Sequence, residues 1–72
     1  MSVFNTIVTL DKNGIAKIIH NLNTISMIIE ARYYDTNKPV LCTVNYSLSN
    51  KNEITMVSRE NANKKLKILI AY

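Results

Sequence analysis

The chain has 72 residues, nine Lys+Arg against five Asp+Glu (net charge +4), and one Cys, one His, one Gly, one Pro and no Trp. A chain this short makes a single small globular domain spanning residues 1–72, and a fold of that size buries only about 60% of the unfolded surface, so a staple is expected. The lone Cys42 excludes an internal disulfide, Cys42 and His20 are too few ligands for a structural zinc, and self-association or a larger partner is what remains.

With 47% hydrophobic and 19% charged residues the composition is globular, and ten Ile, six Thr and five Val favour strands. The first ten residues, MSVFNTIVTL, lack the charged and small-residue features of a signal peptide, and no apolar run approaches the ~20 residues of a membrane span. A cytoplasmic protein with a reduced thiol is expected. Asn45-Tyr46-Ser47 fits a glycosylation sequon and reads as chance.

In chain order, residues 3–10 alternate as a strand. Asp11-Lys12-Asn13-Gly14 is a turn. Ile15, Ile18, Ile19 and Leu22 then fall at i, i+3, i+4, i+7, with Lys17, His20 and Asn21 opposite, which predicts a short helix over 14–22 ended by Asn23 in a left-handed conformation. Residues 24–34 alternate again, with Ile25, Met27, Ile29, Ala31 and Tyr33 on one face and Ser26, Ile28, Glu30, Arg32 and Tyr34 on the other. After the turn at Asp35–Pro39, residues 40–48 set Val40, Cys42, Val44, Tyr46 and Leu48 against Leu41, Thr43, Asn45 and Ser47.

Glu53–Ser58 is a short strand beyond the Asn50-Lys51-Asn52 turn. In the tail Ser58 could cap a helix with Ala62, Leu66, Leu69 and Ile70 as its stripe, but the alternation of 65–71 suits a Lys-rich strand after a polar loop better. The expected hairpins pair Tyr33 with Cys42 and Leu48 with Ile54, since one-residue slips mix the faces. The fold class predicted is α+β: one antiparallel sheet of about five strands (β-α-β-β-β-β) with one short helix on one face. The alternative is a small all-β barrel in which 15–20 is a strand.

The chemistry is sparse. Cys42 is expected mid-strand on the buried face, where a thiol is inert, and His20 on the outer face of the helix. The five acids are scattered through turns and strand ends, a single glycine rules out a glycine-rich phosphate loop, and a chain this small has little room for a pocket of ~300 Å³. No enzyme, metal, cofactor or small-molecule substrate is expected.

Two binding readings remain. On the second face of the sheet, Ile28, Tyr34 and Leu41 stand beside Arg32, with Leu41 expected opposite Tyr34. An apolar centre with a polar rim marks a protein interface. The leading expectation is therefore a non-catalytic protein, a homodimer or an adaptor on a larger macromolecule, anchored by Arg32, Tyr34, Leu41 and Ile28. Small size and an Ile/Asn/Lys bias typical of AT-rich genomes associate it with virus- or plasmid-encoded inhibitors of host complexes. The alternative is a small basic single-strand nucleic-acid-binding domain. Residues 51–72 carry net +3 (five Lys+Arg minus two Glu), and Arg59, Lys64, Lys65 and Lys67 with Tyr34 are its candidate contacts.

Overall fold

The computed structural model describes residues 1–72. Six strands run β1 Val3–Thr9, β2 Ile15–Ile19, β3 Ile28–Tyr33, β4 Thr43–Tyr46, β5 Glu53–Val57 and β6 Lys65–Ala71, with one 3-10 turn at Arg59–Asn61. They form two antiparallel three-stranded sheets, ordered β1-β6-β3 and β2-β5-β4.

The two sheets are two halves of one folded ribbon. β1 continues into β2 as β5 continues into β6, and the same pairing passes from one sheet to the other. The corner is held by backbone bonds from Leu10 to Lys64 (2.9 Å) and from Ser58 to Gly14 (2.8 Å). Likewise β3 leads to β4 along the other side of β6 and β5. The β5–β6 segment is thus central throughout, and its side chains are the most buried.

On β6, Leu66, Ile68 and Ile70 are 0–2% exposed; on β5, Ile54 and Met56 are 1% exposed. With Leu10, Ile18 and Ala31 they form one core shared by both sheets. Strict alternation puts these side chains inward, so burial of apolar area, at roughly 25 cal/mol per Å², pins the register.

Several expectations from the sequence are corrected. Residues 15–19 are strand β2, paired with β5, and not a helix. The helical stripe would bury Ile19, yet Ile19 is 62% exposed while Ile18 is buried. The strand alternation Ala16, Ile18, His20 is the one the core uses, and β-branched isoleucines favour it. Asn23 does adopt a left-handed conformation (φ 51°), as do Asn21, Asn37 and Asn63, but in loops, with no helix to end. The alternative's strand at 15–20 is thus present, while the ladders form two sheets and show no closed barrel.

The expected 33–42 hairpin does not form. Residues 38–40 fold back on the edge of β3, with Arg32 bridged to Pro39, and the chain then crosses to the other sheet. Tyr33 lies opposite Leu66 instead, because β6, the most regularly apolar strand, takes the central place. The β4–β5 hairpin does form, slipped by two residues from the expected register: Tyr46 faces Ile54 and Val44 faces Met56. A slip of two keeps every side chain on its face.

His20 is buried at 3% exposure, correcting its expected place on a solvent face. Its Nδ1 accepts from the Leu22 amide at 3.0 Å, so Nε2 carries the proton and has no partner. Desolvation holds its pKa below the ordinary 6.5.

Candidate interaction surface

The register of the first sheet arranges its outer face in four rows. They are Val3–Ala71–Ile28, Asn5–Leu69–Glu30, Ile7–Lys67–Arg32 and, at the corner, Thr9–Lys65–Tyr34. The first row is apolar and exposed, with Val3 at 54% and Ile28 at 65%. The last two rows are cationic. A concavity of about 510 Å³ lies between the second and third rows, lined by Asn5, Ile7, Glu30, Arg32, Lys67 and Leu69 among others.

The cationic end is built from internal contacts. Lys65 Nζ stands 4.3 Å from the centre of the Tyr34 ring and Lys67 Nζ 5.8 Å, both within cation–π reach. Arg32 pairs with Glu30, and its Nη1 donates to the Asn37 carbonyl at 2.9 Å. Lys67 Nζ donates to the Asn37 side-chain oxygen at 3.3 Å. Asn37, left-handed in the 34–38 turn, therefore latches that turn onto the sheet face. A second concavity of about 540 Å³ lies at the corner, where Lys38, Lys64 and Lys65 surround Tyr33, Tyr34 and Thr36 with Asp35 as its one carboxylate. Both concavities exceed the volume the sequence suggested the chain had room for.

Of the expected protein-interface residues, Ile28, Arg32 and Tyr34 lie in a line along one edge of this face. Leu41 does not join them. Its side chain is 94% exposed, and its carbonyl accepts from the Ser58 hydroxyl (3.2 Å) where the chain crosses between sheets. The expected Tyr34–Leu41 pair is therefore absent, because Tyr34 lies opposite Lys65. Of the expected nucleic-acid contacts, Lys65 and Lys67 lie on the same outer face and Lys64 lies over the Tyr33 ring at 5.6 Å. Arg59 sits on the 3-10 turn, packed at its Cα against Gly14, and lines neither concavity.

The sequence missed Asn5, Ile7, Asn37 and Lys38. The first two follow from the alternation of β1 once its partner is known; Asn37 carried only a turn signal.

At the corner, beneath this face, is a polar network. The Tyr33 hydroxyl donates to Asn61 Oδ1 (2.5 Å), and Asn61 Nδ2 donates to the Ser58 hydroxyl (2.7 Å). Burial pushes the Cys42 thiol up from its ordinary pKa, and its hydrogen bond with Ser58 pulls the other way. His20, paired beside Asn52, lies six residues further along the strand from Ser58, about 20 Å away. Cys42 and His20 therefore do not meet. Nowhere do three or more of His, Cys, Asp and Glu gather as a metal site would need, and no helix is long and apolar enough to cross a membrane.

Comparison with protein families, with curated proteins and with solved structures finds no match to this chain.

Proposed function

We propose that the protein is a non-catalytic binding module whose working surface is the outer face of the β1-β6-β3 sheet, and that its partner is a protein carrying acidic side chains. The observation that supports this is the juxtaposition of an exposed apolar row, Val3–Ala71–Ile28, with a cationic end, Arg32, Lys65 and Lys67, on one sheet face. Apolar contact supplies affinity and the cations supply register and steering. Arg32 and Tyr34 are of the residue types that anchor interfaces. Blocking a host complex is a role that a face of this kind on so small a chain suits. We extend the proposal to a virus- or plasmid-encoded inhibitor acting in the cytoplasm, on size and base-composition bias alone.

A second reading, a single-strand nucleic-acid binder, is favoured by one observation: Lys65 and Lys67 stand over Tyr34, joining a stacking ring to phosphate-pairing charges. It is the weaker because the face carries a single ring beside several aliphatic side chains.

The test is capture of partners from nuclease-treated lysate by the tagged wild-type chain, by Ile28→Asp and by Lys65→Glu/Lys67→Glu. A defined protein that survives nuclease and is lost with both variants supports the proposal. Material that vanishes with nuclease, with a log–log salt slope near −0.7 per phosphate contact, transfers it to the second reading. A partner retained by both variants overturns the assignment of this face.

A further inference from the structure

The four sheet edges are not equally protected. Exposed edge strands are templates for pairing with another chain, and proteins blunt them with short length, charge, proline or a covering segment. Three edges here are blunted. On β3, residues 38–40 cover the half of the edge from Ala31 to Tyr33, where Tyr33 N–H donates to the Lys38 carbonyl (2.9 Å) and Val40 N–H to the Ala31 carbonyl (2.9 Å) with Pro39 between them, and the other half carries the charged Glu30. On β2, both backbone groups of Ile15 are taken by Asp11, and Lys17 occupies the middle of what is left. β4 is only four residues long.

β1 has none of these devices. It is seven residues long, has no proline, and lies in a ten-residue stretch without a charged side chain, in a chain of net charge +4. Ser2 exchanges both backbone bonds with Tyr72, and Leu10 N–H donates to Lys64. By antiparallel alternation the even residues of β1 therefore face β6. The N–H and C=O groups of Val3, Asn5, Ile7 and Thr9 point outward along a free edge. The side chains beside that edge are also incompletely covered: Val3 and Ile7 are about half exposed on the outer face, and Phe4 and Val8 only partly buried on the inner one.

We propose that this edge pairs with β1 of a second copy of the chain, antiparallel about a two-fold axis, to give a continuous six-stranded sheet β3-β6-β1-β1-β6-β3. A second copy is the occupant that fits, for three reasons. An uncharged edge is where two cationic chains meet with least repulsion, and antiparallel pairing about Thr6 sends their Thr9–Lys65–Tyr34 rows toward opposite ends of the joined sheet. Odd residues meet odd, so outer faces stay outer and Phe4 and Val8 approach their counterparts over the shared core. The far edges are half covered by residues 38–40 and carry Glu30 in the other half, so the assembly closes at two. A core of eight hydrophobic residues also fits a domain that gains stability by associating. The dimer would present two copies of the binding face side by side, but the pairing does not depend on that function.

The test is sedimentation equilibrium of the full chain from about 1 μM to about 1 mM, with amide exchange read by NMR at the upper end. The expected result is a mass of twice 8.2 kDa, with Asn5 and Ile7 amides protected although no neighbour in the same chain accepts from them. Asn5→Pro removes no bond to β6, and Ile7→Lys brings a charge to the seam. Each is expected to raise the dimer dissociation constant at least about a hundredfold, with circular dichroism unchanged. Ile19→Lys, on the β2 edge, should leave the dimer intact. A monomer throughout, an open-ended polymer, or a dimer that tolerates both β1 variants with fast Asn5 and Ile7 exchange would overturn the proposal. Ile7→Lys serves should Asn5→Pro fail to fold.

Discussion

Substituting Gly14 by alanine tests the corner on which both sheets depend. Gly14 has φ +75°, and a Cβ there would lie 2.4 Å from the Ser58 carbonyl oxygen, 2.6 Å from Arg59 Cα and 2.8 Å from the Ser58 carbonyl carbon. All three are backbone atoms, so no side chain can swing aside. The left-handed conformation alone costs a non-glycine residue roughly 1–2 kcal/mol. Relieving the contact must part the two strands and break the Ser58-to-Gly14 backbone bond at 2.8 Å, worth about 1 kcal/mol more. The expected destabilisation is about 2–3 kcal/mol, against a total stability of about 4–11 kcal/mol for a domain of this size. Urea unfolding followed by far-ultraviolet circular dichroism and tyrosine fluorescence measures it, with Asn13→Ala as the control that leaves the close approach untouched. A loss below about 1 kcal/mol for Gly14→Ala at unchanged m-value would refute the reasoning, since it would mean the strands at the corner have room for a methyl group.

Other outcomes follow from the same geometry. Because burial lowers the His20 pKa in the fold, the unfolded chain binds more protons below its ordinary value of 6.5. Stability is therefore full above that pH, falls as the pH drops, and levels off below the folded pKa; urea midpoints at pH 7.5 and 5 should show the fall, and His20→Gln should remove its histidine-linked part. Tyr33→Phe leaves Asn61 Oδ1 without its donor in a buried site and should cost about 1–3 kcal/mol, read by thermal or urea unfolding. Ile54→Ala, at 1% exposure, should cost about 2–5 kcal/mol by the same assay. Cys42, half-buried with a raised pKa, should react slowly with an alkylating reagent at neutral pH in the native chain and rapidly in urea.

What the sequence made legible was parity. The alternation read over 24–34, of which only 28–33 is strand, and over 65–71 put the right side chains on the right faces, and the two-residue slip at Tyr46–Ile54 cost nothing because parity survives it. What it could not supply was partnership. Tyr33 was expected opposite Cys42 because the two segments are neighbours in the chain, but the turn between them ends in a crossing to the other sheet. Local pattern carries no term for the long-range preference of β6 for the centre. The helix reading of 14–22 failed for a related reason. Four apolar residues at helical spacing also fit a strand whose outer isoleucines, Ile15 and Ile19, remain partly or largely exposed, and only the β5 ladder decides between the two.

The candidate surface shows the same division. Arg32, Tyr34 and Ile28 were identifiable because they share one strand and one parity, and Lys65 and Lys67 because they share another. That the two sets meet on a single face, around one tyrosine ring, required knowing that β3 and β6 are adjacent. The consequence reaches beyond the site. Since both sets of side chains occupy one face, no single charge reversal there separates an acidic protein from a nucleic acid as partner; Lys67→Glu weakens either. Ile28→Asp does separate them. Ile28 lies at the apolar end, three rows from Tyr34, where a bound strand of nucleotides centred on the lysines gains little and a protein interface has its core. Retention of nucleic-acid binding in that variant together with loss of protein binding would identify the apolar row as the element that selects the partner.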